Sequence, residues 1–216
     1  MNLYITQNSY YFVHKNFMNF FLENNSFVIF VQEKERGRAK QLLEILSNFG
    51  IFNFLRIIFL EILFFIILYR KTLKLNSIYL SDMNFNEELS KILSNKKFKE
   101  IISIGCPCKI DHSFQVKFRI SILNLHGGIL PFQKGRFSPL KAIKNADKYL
   151  GASIHEISQS FDEGKILSQK SFLIKNKKKL FNYNKVLKLS NYILESYLRK
   201  ERHSISNEVL KKFNKL

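Results

Sequence analysis

The chain has no tryptophan, only three prolines and eight glycines, and two cysteines in 216 residues. The cysteines, Cys106 and Cys108, stand two apart. On an extended segment they point the same way but do not readily bridge. No second pair exists to complete a four-cysteine zinc site. A disulfide framework is thereby excluded, and a reduced, cytoplasmic protein is expected. Acidic residues are also scarce, 17 against 35 lysines and arginines, for a formal net charge of +18. That balance favours anionic partners: nucleotides, phosphorylated small molecules, RNA or a membrane surface. The lysines are spread along the chain, so over-use of lysine on solvated faces explains the charge equally well. At the N-terminus no basic region precedes an apolar run with a small-residue cleavage site, and no secretory leader is expected.

Hydrophobic residues make up 46% of the chain, among them 22 phenylalanines, enough to bury a full core. One run, residues 51–69, is almost wholly apolar and near the length of a membrane span. Arg56 and Glu61 interrupt it, and each is costly at a bilayer centre. A buried crossover helix, an interfacial or partner-binding helix, and a true span all fit this composition.

Periodicity predicts strands at residues 3–6, 26–31, 77–80, 100–105, 120–126, 151–157 and 166–173. Helices are predicted over 11–23, 34–71 with a break at Gly50, 86–93, 139–146, 183–202 and 204–213. The alternation argues for an α/β fold with a mostly parallel, Rossmann-like twisted sheet. Helices should cover both faces, with a helical tail at the C-terminus. The expected division is a catalytic domain over residues 1–175 and a helical extension over 176–216 packed on it.

The chemistry concentrates in two segments. Asn124 and His126 lie two apart at the end of a predicted strand and so face one side. The C-terminal edge of a parallel sheet is where α/β proteins place ligands. Gly127 and Gly128 let the backbone turn sharply and let a ligand approach; Pro131 fixes the direction that follows. In the second segment, Asp162-Glu163-Gly164 sits in a polar loop between two strands, free to turn toward the sheet edge. His155, inside an alternating strand, reads as structural or substrate-lining.

Together the two segments resemble the formyltetrahydrofolate-dependent formyltransferase family. That family includes the glycinamide ribonucleotide, methionyl-tRNA and sugar-nucleotide enzymes. The resemblance rests on Asn124-Leu125-His126, Gly127-Gly128-Ile129-Leu130-Pro131, Lys134-Gly135, the strand carrying His155, and Asp162-Glu163-Gly164. It implies that Asn124, His126 and Asp162 are catalytic, that formyltetrahydrofolate is the formyl donor, and that no metal is required. Asn124 would donate to the formyl oxygen, and His126 would stabilise its charge and assist proton movement. Asp162 would orient His126 and raise its pKa. The folate pocket it implies is formed by Cys106, Pro107, Cys108 and Ile110 on one wall and Ser158 and Phe161 on the other.

The acceptor is narrowed by what is missing. The turn after the first strand, Thr6-Gln7-Asn8-Ser9-Tyr10, has no glycine to build a phosphate cradle, which counts against glycinamide ribonucleotide. The forty or so residues after the last strand leave no room for a second β-rich domain of the methionyl-tRNA type. The resemblance then implies a nucleotide-linked amino sugar, with Tyr10 against a base or sugar and Lys134 or Arg136 at a diphosphate. Two rivals stand beside it: a non-catalytic relative that binds a partner or membrane through residues 51–69, and a nucleic-acid-binding domain driven by charge alone, for which no recognition motif speaks. A homodimer is compatible with either enzyme or relative.

Overall fold

The computed structural model describes residues 1–24, 26–34, 37–206 and 209. The helix expected over residues 204–213 lies for the most part outside the described residues. The chain divides into two compact units, Met1–Ile122 and Leu123–Leu216.

The first unit runs β1 (Leu3–Gln7), a π-helical turn (Tyr10–His14), α1 (Lys15–Glu23), β2 (Phe27–Gln32), α2 (Arg38–Phe49), α3 (Ile51–Thr72), β3 (Asn76–Ser81), α4 (Phe85–Asn95), β4 (Glu100–Ile104) and α5 (Phe114–Lys117). Its four strands are parallel: β1 lies between β2 and β4, and β3 flanks β2. Leu3 stands opposite Phe27 on one side and Ile101 on the other. Parallel strands covered on both faces need unbroken apolar runs. Phe27-Val28-Ile29-Phe30-Val31 supplies one, and all five side chains are buried. Helix α1 buries Phe17, Met18, Phe20 and Phe21, a spacing that gathers them on one face. Tyr4 meets Phe20 edge-on at 5.4 Å. Burial there pushes its hydroxyl up to about 12.

Gly50 breaks the long helical region as expected, with φ of 78°. Beyond it, α3 is buried only at Ile57, Leu68 and Thr72. Of the three readings open for this run, a fully buried crossover helix is not what is found: full burial is confined to one narrow face. Glu61 lies on that face: its carboxylate accepts hydrogen bonds from the Tyr11 backbone N–H at 2.9 Å and the Ser9 hydroxyl at 3.1 Å. The charge that interrupts the apolar run is therefore turned inward onto the π-helical turn.

The second unit holds β5 (Ser121–His126) from Leu123 onward, α6 (Ser138–Lys144), β6 (Tyr149–Glu156), β7 (Ile166–Leu173) and α7 (Lys179–Leu198). Here β5 pairs with β6, and β6 with β7, both antiparallel. Val186 of α7 joins Ala142, Ile143 and Leu150 in one apolar cluster, fastening α7 and α6 to β6. The expected α/β class holds, with parallel strands in the first unit and an antiparallel ladder in the second. The short α5 is an addition that hydrophobic periodicity does not signal, and the helix expected over 11–23 begins with the π-helical turn before continuing as α1.

Candidate active site

Strand pairing assembles the site. In the antiparallel ladder Asn124 stands opposite His155, and His126 opposite Ser153. Cross-strand partners share a face, and so do residues two apart. The side chains of Asn124, His126, Ser153 and His155 therefore converge on one side of the β5–β6 pair. The loop between β6 and β7 brings Asp162 over them. Asp162 takes a left-handed backbone conformation, φ 56°, and its Oδ2 accepts the Gly135 N–H at 2.7 Å. Its Oδ1 lies 3.5 Å from His126 Nδ1 and 3.6 Å from His155 Nε2. The three residues singled out in the sequence thus meet, and His155 stands among them.

The hydrogen bonds fix the tautomers. His155 Nδ1 approaches the Glu156 carbonyl at 2.8 Å, so that nitrogen carries the proton. In the neutral ring Nε2 is then an acceptor, and Asn124 Nδ2 donates to it at 3.1 Å. This contact sets which way the Asn124 amide faces and leaves its second N–H for another acceptor. His126 Nε2 lies 2.6 Å from the Gln133 carbonyl and must donate. Its Nδ1 then faces Asp162, an arrangement that suits the doubly protonated ring.

Two influences on His126 oppose each other. Burial lowers its pKa; the Asp162 carboxylate and the Gln133 carbonyl raise it; His155 and Lys141 lower it further. The net direction is down, contrary to the rise expected from Asp162 alone, because the imidazole side chain is only 9% exposed. For Asp162, burial would raise the pKa, but the neighbouring His155 and His126 rings and the Gly135 N–H pull it down to about 2. The carboxylate is ionised at neutral pH.

A second layer holds this group in place, and sequence reasoning missed it. Gln133 is buried. Its Oε1 accepts the Ile129 N–H at 3.0 Å, and its Nε2 donates to Asp147 and to the Tyr149 carbonyl, each at 2.8 Å. The Ser153 hydroxyl donates to the Gly128 carbonyl at 2.6 Å, and Gln169 donates to the Leu130 carbonyl at 2.8 Å. A Cβ at Gly128 would stand 2.7 Å from His126 Nε2 and collide with the Gln133 carbonyl. Glycine there keeps the His126–Gln133 bond open. A glutamine two residues before Gly135 gives little local signal, since two of its three side-chain partners lie 14 and 16 residues away.

The other residues marked in the sequence are placed as follows. Lys134 pairs with Glu163 at 2.8 Å, beside Asp162 in the loop. Arg136 is exposed and stacks on Phe137. Ser158 donates to the Ser160 carbonyl at 2.8 Å, and Phe161 is exposed in the same loop. In the first unit, Ile110 is buried, while Cys106, Pro107 and Cys108 are half-buried after Gly105, whose φ is 58°. The two cysteines are free, with sulfurs 3.5 Å apart. That contact and burial push the Cys106 thiol up. Asn86 brackets this loop, donating to the Lys109 carbonyl and accepting the Asp111 N–H, each at 3.0 Å. Tyr10 begins the π-helical turn. Among the described residues no cluster of three His, Cys, Asp or Glu side chains could hold a metal.

Known proteins resemble this chain in part of its sequence and in its fold. A methionyl-tRNA formyltransferase of Fervidobacterium nodosum is 31% identical over 81 residues, 37% of this chain and 26% of that protein. The matched stretch thus spans about a quarter of that relative's length. A phosphoribosylglycinamide formyltransferase of Anaplasma phagocytophilum superposes with a TM-score of 0.62 at 14% identity, covering 92% of this chain and 85% of that one. A sugar N-formyltransferase of a Shewanella species superposes with a TM-score of 0.57 at 15% identity, covering 96% and 74%. At such identities the superpositions establish a common fold. The Formyl transferase family model matches residues 67–196, more than half of the sequence and the whole of the Asn124–Asp162 region, and the chain belongs to that family.

Proposed function

We propose that the protein transfers a formyl group from formyltetrahydrofolate to a primary amine, and that the amine belongs to a nucleotide-linked amino sugar. The observation that carries the reading is the convergence of Asn124, His126 and Asp162 on one face, with His155 holding the Asn124 amide. When the amine attacks the formyl carbon, negative charge develops on the formyl oxygen. The second N–H of Asn124 is the donor for that oxygen. Asp162 opposes the burial that lowers the His126 pKa, so that ring can take on positive charge beside the oxygen as its negative charge develops. The amine must also lose a proton, and the ionised Asp162 is the nearby group able to take it, directly or through water. The proton is returned to the folate nitrogen as the tetrahedral adduct collapses.

Support for the sugar acceptor comes from the turn after β1. A phosphate cradle there would need free N–H groups at a helix start. Here the Tyr11 N–H and the Ser9 hydroxyl are given to the Glu61 carboxylate, and the Phe12 N–H is given to the Ser9 hydroxyl at 3.2 Å. An internal carboxylate stands where a phosphate would be held, which argues against glycinamide ribonucleotide. Lys134 and Arg136 are the cations offered to a diphosphate.

The test is an assay of the purified protein with formyltetrahydrofolate against a panel of nucleotide-linked amino sugars and glycinamide ribonucleotide. Turnover of at least one amino-sugar nucleotide is expected. Turnover of glycinamide ribonucleotide alone would refute the acceptor but keep the chemistry; no turnover of any amine would refute both.

A further inference from the structure

The outward face of α3 is the largest feature that formyl transfer leaves unused. Phe52, Leu55, Phe59, Ile62, Ile66 and Tyr69 recur at helical spacing, and all are exposed, Phe52 at 87% and Ile66 at 67%. At 1.5 Å per residue the stripe from Phe52 to Tyr69 runs about 26 Å along the helix. Patches of this kind on a soluble domain mark interaction sites. Glu61, the one acidic residue of the helix, sits on the opposite face, bonded to Tyr11 and Ser9. The charged residues left around the stripe are all basic: Arg56 within it, and Arg70, Lys71 and Lys74 at its C-terminal end, each exposed.

We propose that α3 is a membrane-docking helix that lies along an anionic bilayer surface. The geometry excludes a crossing: Ile57, Leu68 and Thr72 are buried against the protein, and Phe64 meets Tyr11 at 6.1 Å, so one long face is never available to lipid. An in-plane helix needs only its outer stripe in the acyl boundary, with basic side chains at the headgroups. Charge selects the occupant. A second copy would bring another +18 charges against the same basic border, whereas anionic lipid complements it. The orientation also places the polar face inward, a reversal of a free amphipathic helix, because the protein itself satisfies it.

The experiment is co-sedimentation of the full chain with vesicles of phosphatidylcholine alone and of phosphatidylcholine with 30 to 40% phosphatidylglycerol, roughly the anionic surface for which basic segments are suited. At least tenfold stronger binding to the anionic vesicles is expected, weakening as salt is raised. The Phe59→Glu, Ile66→Glu double variant should lose that binding by tenfold or more while keeping its circular dichroism and its formyl transfer rate, since both positions are exposed. Arg70→Glu with Lys71→Glu should weaken binding without touching the stripe. Failure to bind anionic vesicles, or binding indifferent to the double variant, overturns the proposal. So does a dimer in light scattering that the same double variant converts to monomer, which would assign the stripe to a second copy.

Discussion

Replacing Asp162 by asparagine isolates what its charge does. The side chain keeps its shape, and the remaining amide oxygen can still accept the Gly135 N–H that it meets at 2.7 Å. What disappears is an ionised carboxylate whose pKa of about 2 lies below the ordinary 3.8. That gap corresponds to about 2 kcal/mol of folding stability. Because the folded value is the lower one, the contribution is complete above about pH 4 and is lost as pH falls through about 2. Urea denaturation of Asp162→Asn at pH 7 should therefore show a loss of about 2 kcal/mol, with the gap to the parent narrowing below pH 4. Activity should fall further than stability, by about 10²- to 10⁴-fold, the range for loss of general acid–base assistance. The pH profile carries its own sign. Asp162 raises the His126 pKa against burial, so its removal lowers that pKa again. A rate that needs imidazolium should then lose its high-pH side at a lower pH in the variant. Parent-like stability at pH 7 together with parent-like turnover would refute the paired, ionised carboxylate.

Three further outcomes are expected. Gln133→Leu leaves the Ile129 N–H and the Tyr149 carbonyl without their side-chain partner, which should cost about 2–5 kcal/mol by denaturation and reduce turnover through His126; unchanged stability would show that the network is dispensable. Gly164→Ala would drive a methyl group into the Glu156 carbonyl, displacing the Asp162 loop, and should lower turnover at least as sharply as Asp162→Asn, read in the same assay. His14 is fully buried beside Phe30, and burial lowers its pKa from 6.5 to about 4, so the unfolded chain takes up a proton that the folded chain refuses. Stability should fall by about 2 kcal/mol between pH 8 and pH 5 from this group, and His14→Leu should flatten that slope; an equal slope in both proteins would contradict it.

Strands β1, β2 and β4 were legible because parallel strands covered on both faces must be written as continuous apolar runs. Gly50 was legible because a positive φ between two helices asks for glycine. The antiparallel ladder of β5, β6 and β7 was not, since each strand carries the same local pattern whichever way its neighbour runs. In the site, Asn124, His126 and Asp162 could be found from an ordered motif. His155 was read as structural or substrate-lining, and its position opposite Asn124 emerges only from strand register. Gln133 was invisible because two of its partners, Asp147 and the Tyr149 carbonyl, are brought to it only by the fold. For α3, composition showed an apolar run interrupted by charge but could not say which way Glu61 pointed; a hydrogen-bond partner some fifty residues earlier decides that.

The bonds that position His126 and the loop after it end on the chain's own carbonyls and amides: Gln133 on Ile129 and Tyr149, Ser153 on Gly128, Gln169 on Leu130. None of them waits for a bound molecule to complete it. A scaffold closed upon itself in this way decouples the apparatus from its clientele. An exposed side chain such as Arg136 takes no part in these bonds, so the surface can change while the buried groups stay where they were.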